Sequence, residues 1–272
     1  MLKLSGAEGD DVDAGSRIEK ISVVIPARNE QETIGPVLAA LNVATRSVAG
    51  CSFETIVVVD SLADGTVAVA QSLGARVLVN DRPRGKGSAL YCGFRHAAGD
   101  AIVIFDADGS HNPADIGVFV GALRQGAGLV IGSRVLGGSH DHDVVRLFGN
   151  ALFTVLFSFL FRTSLMDTLN GYKAFRREIV SGYVPRAHGF DVEIEIVARA
   201  ISRGCRIEEV STHENRRTGG RMKSRAVRDG FHILIACLRE GARFRLSTVF
   251  GRGRSGAWSA TPALARSDRS TA

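Results

Sequence analysis

The chain is poor in cysteine. It has four in 272 residues, Cys51, Cys92, Cys205 and Cys237, with no C-x-x-C pair and no histidine at ligand spacing. That excludes a disulfide scaffold and a cysteine-held zinc site, and it reads the four as small buried hydrophobes in a reducing compartment. An apolar segment is missing from residues 1–19, which are polar and acidic (Glu8, Asp10, Asp11, Asp13), so no secretory signal is read there. No apolar run is long enough to cross a bilayer: the longest, residues 147–161, reaches about 22 Å as a helix against roughly 30 Å of hydrocarbon. No internal repeat is found. What is present is 45% hydrophobic and 23% charged residues, enough for a sizeable core in one large domain or two small ones. Disordered, collagen-like and coiled-coil classes are excluded. The net charge of +6 points to an anionic partner.

Short β-branched runs at residues 21–25, 54–59, 75–79, 101–105 and 129–131 read as buried strands. Helical stretches separate them. One begins near Glu30, one at Asp64 or Gly65, one after the basic Gly-rich segment "RPRGKG", and one at Pro113. This alternation predicts an α/β fold: a Rossmann-like, mostly parallel sheet with helices on both faces. The second half carries the apolar helix, a short strand in "TLNGYKAFRRE", and an amphipathic helix in "GFDVEIEIVARAISRG" closed by Gly204. A strand in "CRIEEVS", a basic loop and a basic helix over about residues 224–243 follow. The expected organisation is a flexible segment at 1–19, a domain at 20–245 and a disordered tail at 246–272.

In an open parallel sheet, ligands bind outside the carboxyl ends of the strands. Three strands end in polar signals: "PARNE", "DSLADGT" and "DADGSHNP". A D-x-D following a β-branched run, on the same edge as two other polar strand ends, marks that edge as the site.

The ordered set "VVIPARNEQETI", "VVVDSLADGT", "GKGSAL", "FDADGSHNP", "GSR" and "NGYKAFRR" resembles the inverting glycosyltransferases of family two, with their A-type fold. "VVRLFGN", "DTLNGYKAFRR" and "GFDVEIEIVARAISRGCRIEEVSTHENRR" are similar to the dolichol-phosphate mannosyltransferase (polyprenol monophosphate sugar synthase) branch, and the likeness spans about residues 20–240. The resemblance implies a metal-dependent transfer of mannose or glucose from a nucleotide diphosphate sugar, GDP-mannose or UDP-glucose, to a polyprenyl phosphate. It implies that Asp106 and Asp108, hard oxygen ligands, hold Mg²⁺ or Mn²⁺ with Ser110 beside them. Pro26, Arg28, Glu30, Asp60, Lys86 and Ala107 join them at the donor. Arg134, Arg146 and an arginine of an R-x-x-G pattern meet the acceptor phosphate, since guanidinium groups hold phosphate bidentately. The pattern fits Arg216 with Gly219 or Arg217 with Gly220, and Arg217 is taken as the candidate. Asp108, Arg134 and Arg146 are the candidate catalytic residues.

The chain departs from the family where Val59 replaces the first Asp of "DDGS", Ser61-Leu62 its Gly-Ser, Ser110 a Gln, and Met222 a Ser. Each motif also has a plainer reading: Asp64 as a helix cap, Glu30 as a first-turn residue, Lys86 as a solvated lysine. A rival function is transfer to a soluble acceptor, as in glucosyl-3-phosphoglycerate synthase, with Asp167 or Asp191 as base. A non-catalytic binding protein on the same fold is the third. No nucleic-acid partner is expected. The apolar helix, with Phe148, Phe153, Phe157, Phe159 and Phe161, is either core or laid in a membrane interface. The interface reading, with the basic helix drawing anionic lipid, makes the protein a peripheral enzyme on the cytoplasmic face of the membrane.

Overall fold

The computed structural model describes residues 17–83, 85–140, 144–219 and 226–249, without the side chains of residues 144–147, 226, 227 and 249. Seven strands form one sheet: β1 (Lys20–Pro26), β2 (Ser52–Val59), β3 (Arg76–Val79), β4 (Ala101–Ile104), β5 (Leu129–Ser133), β6 (Lys173–Arg176) and β7 (Ile207–Ser211). Their order is β3-β2-β1-β4-β6-β5-β7. β6 is antiparallel to both β4 and β5, and every other pairing is parallel. Because β6 runs backwards, its first residue, Lys173, pairs with Ile104 at the carboxyl end of β4. The edge that collects the polar strand ends therefore also receives the start of β6.

Alternate strand residues feed two cores, as the two-residue period of a strand requires. Val24, Ile56, Val58, Ile102, Ile104, Leu129 and Phe175 face one way. They pack against α3 (Lys86–His96), α6 (Val144–Phe161), α7 (Val192–Ser202) and α8 (Ala226–Val249). Val23, Ile25, Val57, Val59, Val103 and Ala174 face the other way, onto α1 (Ile34–Arg46), α2 (Thr66–Ser72) and α4 (Ile116–Arg124). The α/β fold with helices on both faces is as expected.

Several boundaries differ from the sequence reading. The first helix starts at Ile34, not near Glu30, because Pro36 is tolerated only in a first turn. A start at Glu30 would set the Pro36 ring against the Glu32 carbonyl. The second helix begins at Thr66; Asp64 accepts from Thr66 N at 2.9 Å and makes the turn ahead of it. Pro113–Asp115 is a 3₁₀ turn capped by Asn112, not α-helix. α7 carries the expected amphipathic pattern but buries its polar face too: Val192 to Ala198 are all buried, with Glu193 against Lys173 of β6 and Glu195 against Arg239 of α8. Cys92 and Cys237 are buried, but Cys51 and Cys205 are half-exposed. α8 runs to Val249, past the expected end of the domain at 245. The remainder of the expected tail, and residues 1–16, lie outside the described residues.

The apolar helix α6 divides its two faces. Phe157 and Phe161 stack at 4.2 Å inside the core, while Phe148, Leu152, Val155 and Phe159 form an exposed row. α8 packs along α6 and buries Ile233, Ala236 and Cys237, leaving Phe231, Ile235, Leu238 and Leu246 exposed. Arg245 caps the end of α6 by donating to the carbonyls of Phe159 and Leu160, each at 2.7 Å. Among the described residues no helix is long and apolar enough to cross a membrane. Phe157, wholly buried, and Phe159, 73% exposed, sit two residues apart on this helix. Phe157→Ala is expected to lower unfolding stability by about 3–5 kcal/mol, and Phe159→Ala by no more than about 0.5 kcal/mol, measured by denaturant unfolding.

Candidate active site

The site is built where β1, β2, β4 and β7 end and β6 begins. Asp106 and Asp108 follow β4, one residue on either side of buried Ala107. An aromatic stack lies under their loop. Phe105, His111 and Phe119 gather round Tyr172, with His111 stacked on Tyr172 at 4.8 Å. His111 Nδ1 accepts from the Asp106 backbone N–H at 3.2 Å. Burial pushes the His111 imidazole down, so it braces the loop as a neutral ring.

Each carboxylate of the D-x-D carries a cation. Lys86 Nζ lies 2.9 Å from Asp106 Oδ1 and 3.1 Å from Glu193 Oε1. Glu193 Oε2 in turn lies 2.8 Å from Nζ of Lys173, which also donates to the Asn170 carbonyl. Burial works against the charge on Asp106, but the Lys86 ammonium beside it outweighs burial and holds its carboxyl at about 2. Burial likewise opposes the Lys86 charge, and Asp106 and Glu193 overcome it, so the ammonium stays charged above the ordinary lysine range.

Two glycines make this approach possible. Gly85 has φ 123° and would set a Cβ 2.7 Å from the His188 carbonyl oxygen. A Cβ on Gly171 would lie 2.7 Å from Lys86 Nζ and 3.0 Å from Asp106 Oδ2. The glycines of "GKG" and "NGYK" thus keep the space in which the ion pair sits.

Asp108 Oδ1 accepts from Ser110 N at 3.0 Å and Ser110 Oγ at 2.6 Å. Its Oδ2 meets Arg217 Nη2 at 3.0 Å, and the same nitrogen is 3.6 Å from Glu30 Oε1. Arg217 comes from the loop after β7. That loop is tied to the D-x-D by Thr218 N to the Asp108 carbonyl at 3.1 Å and Asn215 N to the Ser110 carbonyl at 2.9 Å. Between the two R-x-x-G registers, the described contacts put Arg217 on the D-x-D.

Arg134, the first residue of α5 (Arg134–Gly137), holds Asp167 bidentately through Nε at 2.7 Å and Nη2 at 2.8 Å. Its Nη1 lies 3.6 Å from Glu214 Oε1. Asp167 is buried, and the Glu209 carboxylate fixes its backbone N–H at 2.8 Å. Both oxygens of Asp167 are therefore committed. Asp191 Oδ1 accepts from Gly189 N at 2.9 Å ahead of α7. Arg28 Nε stands 3.6 Å from Asp60 Oδ2, beside the end of β1 at Pro26. The structure brings Glu30, Lys86, Asp106, Asp108, Ser110 and Arg217 into one group; Arg28 with Asp60 and Arg134 with Asp167 are separate pairs. The side chain of Arg146 lies outside the described residues.

Glu193, Lys173 and His111 belong to the network of Asp106, and Glu214 to the Arg134 pair; none of the four is among the residues expected from the sequence. Glu193 stands in "VEIEIV", an acid flanked by apolar residues on an amphipathic helix, a pattern that does not by itself show that both faces are buried.

Among the described residues no three His, Cys, Asp or Glu side chains gather round one point as a closed metal cage. Asp106 and Asp108 supply hard carboxylate oxygens on one loop. That donor set fits an open Mg²⁺ or Mn²⁺ site, completed by water and by a ligand's phosphate oxygens.

An open sheet of this order, with a D-x-D after its fourth strand and basic side chains around it, defines a glycosyltransferase of the GT-A type. The chain belongs to glycosyl transferase family 2, whose model matches residues 22–183. An uncharacterised glycosyltransferase of Mycobacterium tuberculosis is 33% identical over 211 residues, covering 75% of this chain and 89% of that protein. The dolichol-phosphate mannosyltransferase of Pyrococcus furiosus is 30% identical over 188 residues, covering 66% of this chain. The chain spans 53% of that enzyme's length. Glucosyl-3-phosphoglycerate synthase of Mycobacterium tuberculosis, solved with Mn²⁺, UDP and glucosyl-3-phosphoglycerate, superposes with a TM-score of 0.64 at 26% identity. That match covers 82% of this chain and 80% of the synthase chain.

Asp167→Asn removes the bidentate charge partner of Arg134 from a largely buried pair and leaves it only Glu214, at 3.6 Å. It is expected to cost about 3 kcal/mol or more of stability in denaturant unfolding. Asp191→Asn, which changes one turn contact, is expected to stay within about 1 kcal/mol of wild type.

Proposed function

We propose that the chain transfers a hexose, mannose or glucose, from a nucleotide diphosphate sugar to a polyprenyl phosphate at a membrane surface. The observation that carries this reading is the pair of exposed apolar rows on α6 and α8, with α6 tied through Thr154 to Thr168, the neighbour of the Asp167 that holds Arg134. A lipid acceptor needs a route from bilayer to active site, and a helix pair with one face in the core and the other exposed provides it.

In this reading Pro26, Arg28, Glu30 and Asp60 hold the nucleoside, and Lys86, Asp106, Ala107 and Asp108 the diphosphate. A divalent ion on Asp106 and Asp108, with Ser110 supporting Asp108, would neutralise the leaving diphosphate. Arg217 neutralises Asp108, and its buried Nε has no hydrogen-bond partner among the described residues, a donor suited to a phosphate oxygen. Arg134 contributes through Nη1, because its bidentate edge is taken by Asp167. Arg146, in the first turn of α6, stands where a lipid phosphate would enter. A phosphate monoester is already anionic near pH 7, so no protein base is required. The enzyme works as a peripheral protein on the cytoplasmic face. α8 contributes to lipid attraction less than its arginine content suggests: Arg239 pairs with Glu195, and Arg245 caps α6.

The likeness to glucosyl-3-phosphoglycerate synthase favours a second reading, a soluble phosphorylated acid as acceptor. Asp167 is unsuited as its base, since both of its oxygens are held by Arg134; Asp191 remains.

Labelled GDP-mannose and UDP-glucose, each with Mn²⁺, should be offered with polyprenyl phosphate in vesicles and, separately, with 3-phosphoglycerate. Label is expected in the solvent-extracted lipid; label confined to the water-soluble product favours the second reading. EDTA is expected to stop transfer, and Asp108→Ala to slow it at least ~100-fold with the fold intact. Vesicle flotation checks the surface. Phe159→Asp with Phe231→Asp is expected to leave the protein in the soluble fraction, with unfolding stability within about 1 kcal/mol of wild type.

A further inference from the structure

We propose that Glu193 is a positioning residue that holds Lys86 at the donor diphosphate, while Lys173 balances its charge. The inference rests on the reading of the donor as a nucleotide diphosphate.

Lys86 is a long, flexible side chain at the first position of α3, and fixing it costs on the order of 2 kcal/mol in rotamer freedom. One contact at the rim of the site, with Asp106, would leave its ammonium free to follow that carboxylate. Glu193 provides a second anchor from behind, 3.1 Å away on the buried helix α7. The Phe190 ring closes a third side, 5.7 Å from the ammonium. Together these aim Nζ at the space that Gly171 leaves beside Asp106.

Glu193 by itself would cancel the field of Lys86. Lys173, wholly buried on β6 and 2.8 Å from the other Glu193 oxygen, restores it. Lys86, Glu193 and Lys173 together carry one positive charge. Lys86, 11% exposed, is the most open of the three, so that charge is presented at the site edge. Charges buried in this alternation attract strongly, and each relies on its neighbour. Neither the D-x-D nor "GKG" supplies the anchor; it comes from α7 and β6.

Glu193→Gln alone would strand Lys173, so the informative variant is Glu193→Gln with Lys173→Met. It removes the charge of the anchor, leaving a neutral amide in its place, and keeps the net charge of the group at one. Binding of UDP, GDP and inorganic pyrophosphate, each with Mn²⁺, is read by calorimetry beside the thermal midpoint. The paired variant is expected to keep its midpoint near wild type and to bind the nucleotides about tenfold more weakly. Lys86→Met is expected to weaken binding at least as much, and adding the paired change to it to do nothing further. Wild-type affinity in the folded paired variant, or additive losses with Lys86→Met, would overturn the proposal. If the paired variant does not fold, Glu193→Asp decides: it keeps the charge facing Lys173 but withdraws the carboxylate from Lys86. Its nucleotide affinity is expected to fall, and unchanged affinity overturns the proposal. Wild-type protein that binds pyrophosphate but neither nucleotide removes the donor reading and leaves the Glu193 test to be read with pyrophosphate. Wild-type protein that binds none of the three removes both.

Discussion

A carboxylate withdrawn from water must keep a cation beside it, and the carboxyl edge of this sheet holds several such carboxylates. Asp106, Asp108, Asp167 and Glu193 are partly or wholly buried. Their counter-charges come from segments far apart in the chain: Lys86 at the start of α3, Arg134 after β5, Lys173 on β6 and Arg217 after β7. An unpaired charge at any of these places would cost several kcal/mol. The folding of distant loops onto one edge follows from that constraint. The loop after β7 is the clearest case. Arg217 reaches Asp108, and the backbone on either side of it hydrogen-bonds the loop of the D-x-D. The lysines and arginines gathered at this edge serve as internal counter-ions.

The other face of the problem is the apolar surface left outside. The sheet is covered on both sides, yet α6 and α8 still expose two rows of large hydrophobic side chains. The row on α6 recurs at spacings of four, three and four residues, and that on α8 at four, three and eight, so each lies along one face of its helix. The opposite faces of the same helices are fully packed, through Phe157, Phe161, Ala236 and Cys237. Each helix therefore has one stripe fixed by the core and one open to whatever lies outside. α6 resolves the choice between core and surface by taking both.

The fold was largely legible because strand and helix periods alternate cleanly, and because Pro, Gly and Asp punctuate them. The D-x-D was legible from its position after "AIVIF". The boundaries that differed turn on local chemistry: Pro36 fixes where α1 starts, and Asn112 caps a 3₁₀ turn instead of an α-helix. What resisted reading was pairing across the chain. Nothing near Arg134 in sequence announces Asp167, 33 residues away, and nothing near Lys86 announces Glu193. Such pairs depend on the reversal of β6 and on the packing of α7 between sheet and α8. Both are tertiary facts with no local sequence signature. The mixture of acid and apolar residues in "VEIEIV" read as a surface pattern, though its acids face buried cations.

That pattern has a consequence for the modularity of the chain. Glu193 and Glu195 are two positions apart on α7 and point to opposite sides of it: Glu193 meets Lys86 and Lys173, and Glu195 meets Tyr183 and Arg239 of α8. α7 is thus a shared wall between the charged group at the D-x-D and the outer helix pair. A graft of α6 and α8 from a relative with a different acceptor would have to bring its own arginine to the place of Arg239, or strand Glu195. Inserting one residue between the two glutamates would turn one of them away from its partner. The outer helix pair in this architecture therefore cannot be exchanged independently of α7.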